Sequence, residues 1–262
     1  MLYAIGDIHG CLDEWLELQN KIEKKDKDAQ YIFVGDIIDR GPKVVETCDW
    51  FMENISNFGK YQTVIGNHEH DKILAFNEDI TSKIKNNLDT EENISKWWED
   101  EVRYDIDDHY GSIRLFDTYE HYKKFIQFST TLRYYINIVV NNQRFIIVHA
   151  NLPYSAIEDD NKTLKPNDAL GYKTKDFIVW DRDCIDFDKI DNAILIHGHT
   201  PTVFAEAFSS ADQFNCEEHF GKIYKTHNRY NIDCGLVYKQ FYNQGDLAAL
   251  CLDTLEEIYL YK

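Results

Sequence analysis

The chain has 262 residues, 44% of them hydrophobic, which is enough for one large α/β domain with a buried core and too apolar for a disordered chain. Its formal net charge of −18 at pH 7 argues against a nucleic-acid duplex as partner, because phosphate backbones are held by clustered Lys and Arg; a local basic pocket is still allowed. No apolar run approaches the roughly 20 residues of a membrane span, Asp7 and His9 interrupt MLYAIGDIHG too early for a signal-peptide core, and the six cysteines form no C-x-x-C pair, so a soluble, cytoplasmic protein with reduced thiols is expected.

In chain order, the first predicted strand lies in LYAIGDIHG (2 to 10) and is followed by a helix over CLDEWLELQNKIEKK, where Leu12, Trp15, Leu16, Leu18 and Ile22 share roughly one stripe. A second strand, YIFVGD (31 to 36), is followed by a second helix in KVVETCDWFMEN, and a third strand begins YQTVIGNHE (61 to 69). This βαβαβ order demands parallel strands joined by helical crossovers, with their C-terminal ends on the edge where open α/β sheets bind ligands. Residues 76 to 131 are acidic, carry Trp97 and Trp98 and show helical spacing; they are expected to form a helical insertion beside the site, acting as a lid. Strands return at RFIIVHAN (144 to 151) and AILIHGHTP (193 to 201). RYNIDCGLVYKQ (229 to 240) and DLAALCLDTLEEIYLY (246 to 261) alternate as antiparallel strands do, and are expected to complete a second sheet. Without repeats or Gly/Ser linkers, the expectation is a single domain over residues 1 to 262, in which 206 to 230 has no derivable role.

Five strand ends deliver Asp7, His9, Asp36, Asn67, His149 and His199 to one edge. A lone Asp or His there is more simply a helix cap or turn residue, but capping does not account for six. Carboxylate, imidazole and amide oxygen without thiolate suit manganese, iron or zinc better than calcium. Six protein ligands on one ion would leave no place for a substrate, so two divalent ions are expected.

The ordered series GDIHG (6 to 10), GDIIDRG (35 to 41), GNHE (66 to 69), HAN (149 to 151) and GHTP (198 to 201) resembles the calcineurin-like metallophosphoesterases, especially the bacterial and phage serine/threonine phosphoprotein phosphatases and the related symmetrical dinucleoside tetraphosphatases. The resemblance implies an α/β fold with a central β-sandwich of mixed sheets flanked by helices. It assigns Asp7 and His9 to a first ion, Asp36 to a bridge between two ions, and Asn67, His149 and His199 to the second. Manganese is the ion expected, with iron or zinc as alternatives, and a hydroxide held between the ions would attack phosphorus directly. His68 matches the general acid that protonates the leaving oxygen and Asp39 the carboxylate that orients it. Arg40 would clamp the phosphate oxygens, with Arg182 in VWDRD as a second arginine.

The function expected first is two-metal hydrolysis of phosphomonoesters, namely phosphoserine and phosphothreonine in proteins, with small phosphoesters as further substrates. The alternative is hydrolysis of a dinucleoside polyphosphate such as diadenosine tetraphosphate, in which Trp97 or Trp98 would have to hold a base. An inactive phosphate-binding scaffold is a third reading, disfavoured because no ligand position is lost. His197 is expected to support or pack, His70 to face solvent or cap a helix, and Asp233 to lie near the site or in a turn. Asp105, Asp107 and Asp108 do not make a calcium loop, because Gly111 comes one place late and Phe116 stands where the bidentate Glu belongs.

Overall fold

In the computed structural model, β1 (Leu2–Ile5), β2 (Gln30–Phe33) and β3 (Tyr61–Thr63) pair in parallel, Tyr3 opposite Tyr31 and Tyr31 opposite Tyr61. The structure describes residues 1–85, 96, 98, 111–158, 164–182, 193–203, 221–226, 228–239 and 245–262. The crossovers are α1 (Leu12–Glu23) and α2 (Val44–Asn54), as the βαβαβ order requires. Trp15, Leu18 and Ile22 form the buried stripe of α1, while Leu16 is 40% exposed. At 100° per residue Leu16 falls off the stripe those three define.

Residues 246 to 261 do not complete the second sheet. They form β9 (Ala248–Cys251) and β10 (Glu257–Tyr259), which extend the first sheet to the order β10-β9-β1-β2-β3. β9 runs antiparallel to β1, with Tyr3 opposite Cys251. All four residues of β1 are buried, so its outer row of backbone groups needs a partner, and β9 supplies it.

The second sheet has the order β4-β5-β6-β8-β7, formed by β4 (Tyr135–Val140), β5 (Gln143–Val148), β6 (Ala193–His197), β7 (Tyr224–Thr226) and β8 (Arg229–Asn231). Asn141 and Asn142, at φ 49° and 67°, make the two-residue turn of the β4–β5 hairpin, the left-handed pair that matches strand twist. β5, β6 and β8 run parallel.

Alternation along the strands builds the layers. Leu2, Ala4 and Ile32 of the first sheet meet Ile136, Phe145, Ile147 and Ile196 of the second. On the other face, Tyr3, Ile5, Tyr31 and Phe33 pack with Trp15, Leu18 and Phe51 of the crossover helices. Trp15 stands edge-on to Tyr31 and Phe33 at 5.1 and 4.7 Å, and truncating so buried an aromatic costs about 3–5 kcal/mol. The result is the expected sandwich of two mixed sheets flanked by helices.

Within the segment 76 to 131, α3 (Asn67–Lys85) continues from the third strand's loop, and a 3₁₀ turn (Gly111–Leu115) leads to α4 (Tyr119–Thr130), which packs on α3. Trp98 is buried and stacks on Tyr122 at 4.9 Å, so it packs the interior and offers no base platform. Trp97 and the Asp105, Asp107 and Asp108 cluster lie outside the described residues. Among the described residues no helix is long and apolar enough to cross a membrane.

Candidate metal centre and active site

Each strand of the parallel cores ends in a tight turn, and the chemistry sits in those turns. His9, Asp36, Asp39, Arg40 and His199 all adopt left-handed φ angles, between 44° and 71°. Such conformations cost of order 1–3 kcal/mol each and persist where the surrounding structure holds them. Two glycines show why the turns are so close. A Cβ on Gly66 would overlap Asp36 Oδ1, and one on Gly198 would overlap Asp7 Oδ1.

Asp36 is the centre of the arrangement. Its Oδ1 lies 3.3 Å from His149 Nε2 and accepts the His68 backbone N–H at 3.1 Å, while its Oδ2 lies 3.3 Å from His9 Nε2. Two groups of possible metal ligands therefore share one carboxylate: His9, Asp36 and His68 on one side, and Asp36, His149 and His199 on the other. Asn67, at the start of α3, joins the second group, since His149 Nε2 and His199 Nδ1 converge on its Oδ1 at 2.8 and 2.9 Å. Asp7 lies beside His199, whose backbone N–H it accepts at 3.1 Å.

The electrostatics are those of ligands close together. Burial lowers the pKa of His9 to about 3 and of His199 to about 2, which leaves both rings neutral. Burial acts the same way on His149, but Asp36 outweighs it and raises that ring to about 9. Burial pushes Asp36 up, yet His149, His68 and His9 hold it well below the usual carboxylate range. Asp7 is pushed well above that range by burial and then by Asp233.

The residues fit divalent ions. The donors are carboxylate, imidazole and amide oxygen, Asp7 Oδ1 is buried without a hydrogen-bond partner, and the two missing Cβ atoms leave Asp7 and Asp36 unobstructed.

Beside this centre His68 Nδ1 donates to Asp39 Oδ2 at 2.6 Å. Burial disfavours a charged His68, but the Asp36 carboxylate and the Asp39 hydrogen bond prevail and raise its pKa. Arg40 reaches both histidines, with Nη1 at 3.0 Å from His9 Nε2 and Nη2 at 3.1 Å from His68 Nε2. Arg182 lies at the other side, its Nη1 3.4 Å from the His199 carbonyl and the Thr200 hydroxyl. Trp180, 39% exposed, sets its ring edge-on to His199.

Glu69 is a buried residue beside the site that the motifs did not single out. Fully buried, it accepts four backbone N–H groups: Ile37 and Ile38 on Oε1, and Asp36 and Gly66 on Oε2, at 2.9 to 3.1 Å. One carboxylate thus ties the GDIIDRG turn to the start of α3. The signal was present in the E of GNHE, but three of its four partners are 31 to 33 residues away in the chain and only Gly66 is a near neighbour.

His70 does not face solvent. It is buried with Nδ1 2.9 Å from the Tyr134 hydroxyl, because the turn of α3 that carries it lies against the β4 side of the fold. His197 is buried in the core, and Asp233 is buried next to the site, accepting the Gly235 N–H at 3.0 Å. Asn151 is held by Arg229 Nη2 at 2.8 Å.

The family model described as calcineurin-like phosphoesterase matches residues 2–234. The chain belongs to that family. Membership in the calcineurin-like phosphoesterases indicates a hydrolase and implies divalent metal ions. The symmetrical bis(5'-nucleosyl)-tetraphosphatase of Aliivibrio fischeri is 39% identical over 83 residues, which are 32% of this chain and 29% of that one. The match thus spans less than a third of that relative's length. An asymmetrical bis(5'-nucleosyl)-tetraphosphatase of Anoxybacillus flavithermus is 24% identical over 271 residues, covering 98% of this chain and 93% of its own. Among solved structures, a serine/threonine phosphatase of Saccharomyces cerevisiae shares the fold, with TM-score 0.53 at 13% identity, covering 98% of this phosphoesterase chain and 78% of its own.

Proposed function

We propose that this phosphoesterase hydrolyses a phosphoanhydride bond of dinucleoside polyphosphates at the Asp36-centred site, with two divalent ions, manganese first among the candidates. The observation that supports the chemistry is that Arg40 touches His9 and His68 at once, where its guanidinium would clamp an anion between a metal ligand and a proton donor. The choice of substrate class is supported by the end-to-end alignment with an asymmetrical tetraphosphatase. The phosphoprotein reading, placed first on the sequence alone, has behind it a fold likeness and a partial match to a putative serine/threonine-protein phosphatase of Caenorhabditis elegans, 36% identical over 89 residues that are 32% of this chain and 19% of that one.

In this reading Asp7, His9 and Asp36 would hold one ion, and Asp36, Asn67, His149 and His199 the other. Bound there, the ions supply Lewis acidity toward phosphate oxygens and lower the pKa of water. The protein's own groups do the rest. Arg40 and Arg182 fix the nonbridging oxygens of the phosphate under attack. His68 carries the proton for the departing phosphate oxygen on Nε2, and Asp39 holds its Nδ1 proton and stabilises the imidazolium. Hydrolysis by water needs no phosphoenzyme.

The test is to load metal-stripped protein with Mn²⁺ and follow nucleotide formation from diadenosine tetraphosphate alongside phosphate release from a phosphoserine peptide. Preference for the dinucleotide is expected; clear preference for the peptide would overturn the substrate assignment.

A further inference from the structure

A cavity of about 680 Å³ opens beside Arg40, within the roughly 300–1,000 Å³ typical of small-molecule sites. Pro42 from the DRGP turn, Leu236, Val237 and Lys239 from the turn after NIDCG, and Tyr261 wall it, with Glu14 of α1 as the one carboxylate among the described lining residues. Arg40 belongs to both places. Its nitrogens lie on His9 and His68, and it also lines the cavity, with Cζ 5.9 Å from the Tyr238 ring centroid.

In a chain of net charge −18, a wall whose described residues include two cations, Arg40 and Lys239, against one carboxylate is a local reversal of sign. The cations are interleaved with apolar surface from Pro42, Leu236, Val237 and the Tyr261 ring. Lys239 Nζ sits over that ring at 3.5 Å from its centroid, which holds the ammonium at the wall.

We infer that this cavity seats one nucleoside-phosphate arm of the substrate, an inference that rests on the dinucleoside polyphosphate reading. A phosphate chain clamped by Arg40 continues toward Lys239. The flat base lies against Leu236, Val237, Pro42 and Tyr261, and Glu14 accepts a hydrogen bond from a ribose hydroxyl or an exocyclic amine. A phosphopeptide would present neither a second phosphate for Lys239 nor a flat ring beyond it.

The experiment uses the full Mn²⁺-loaded chain and compares kcat/KM for diadenosine tetraphosphate with that for p-nitrophenyl phosphate, which has no such arm. Lys239→Glu is expected to lower this ratio about tenfold or more, mainly through KM, the factor that goes with roughly 1.4 kcal/mol of lost binding. Tyr261→Ala, at a residue 45% exposed, is expected to lower it several-fold and keeps the test open should Lys239→Glu not fold. Lys25→Glu reverses charge at a side chain 67% exposed and outside the cavity, and the ratio should stay within about twofold of wild type. If the wild type hydrolyses the dinucleotide but Lys239→Glu and Tyr261→Ala both leave the ratio unchanged, the inference falls and the substrate reading stands. Should the same variants weaken a phosphoserine peptide instead, the cavity takes peptide and the inference is overturned. Absence of dinucleotide hydrolysis in the wild type overturns the reading and this inference with it.

Discussion

His68 donates its Nδ1 proton to Asp39 Oδ2 across 2.6 Å, and the same carboxylate oxygen lies 3.4 Å from Lys72 Nζ. Asp39 is thus pinned from two sides, and it keeps His68 aimed at the space beside Arg40. Asp36 and Asp39 raise the His68 pKa, so the protonated, proton-donating form persists to higher pH. Asp39→Asn removes one of those charges. The alkaline limb of the kcat profile should therefore move to lower pH, and His68→Asn should lose about 10²–10⁴ in turnover on substrates with a poor leaving group while retaining metal. Steady-state pH profiles with metal analysis check both. An unmoved limb in Asp39→Asn would mean that another group supplies the proton.

His149 couples metal binding to protons. Asp36 outweighs burial and raises the His149 pKa to about 9, with Nδ1 donating to the Val34 carbonyl and Nε2 to Asn67 Oδ1, both at 2.8 Å. To ligate through Nε2 the ring must give up that proton. Uptake of Mn²⁺ at pH 7 should release at least about one proton per chain, and affinity should rise as pH approaches 9. Calorimetry in buffers of different ionisation enthalpy measures the release; a value near zero would contradict it.

Gly66 should be intolerant of even one added carbon. Its Cβ would overlap Asp36 Oδ1, so Gly66→Ala must displace the carboxylate that joins the two ligand groups. Metal affinity is expected to fall about 10–100-fold with the helical circular dichroism signal preserved. Wild-type affinity in this variant would show that Asp36 is not fixed where the turn holds it.

Glu69→Gln tests the clamp between the turns. The carboxylate accepts two N–H groups on each oxygen, whereas an amide has one acceptor oxygen and turns its NH₂ toward the other pair. A loss of about 2–4 kcal/mol in urea unfolding is expected. A variant within about 0.5 kcal/mol of wild type would assign those backbone groups other partners.

The polar strand ends were legible because each is a short local string: an apolar run, a glycine in every case but that of His149, then a ligand type. Asp7, His9, Asp36, Asn67, His149 and His199 could be named that way, and the structure brings them to one edge. What escaped depends on distant partners. Nothing in the alternation of DLAALCL says which sheet it will join, since that is decided by the open edge of β1 almost 250 residues earlier, where Leu252 N–H meets the Leu2 carbonyl. Glu69 and His70 escaped similarly, because their burial is set by the Asp36 turn and by Tyr134 rather than by their own neighbours.

The most direct test of the Asp36-centred site is hydrolysis of diadenosine tetraphosphate by metal-stripped protein as Mn²⁺ is added in measured equivalents, wild type beside Asp36→Asn. Turnover should appear in the wild type as about two ions bind per chain, and Asp36→Asn should lose both metal and turnover. Hydrolysis that persists in chelator, or that survives undiminished in Asp36→Asn, would contradict the account.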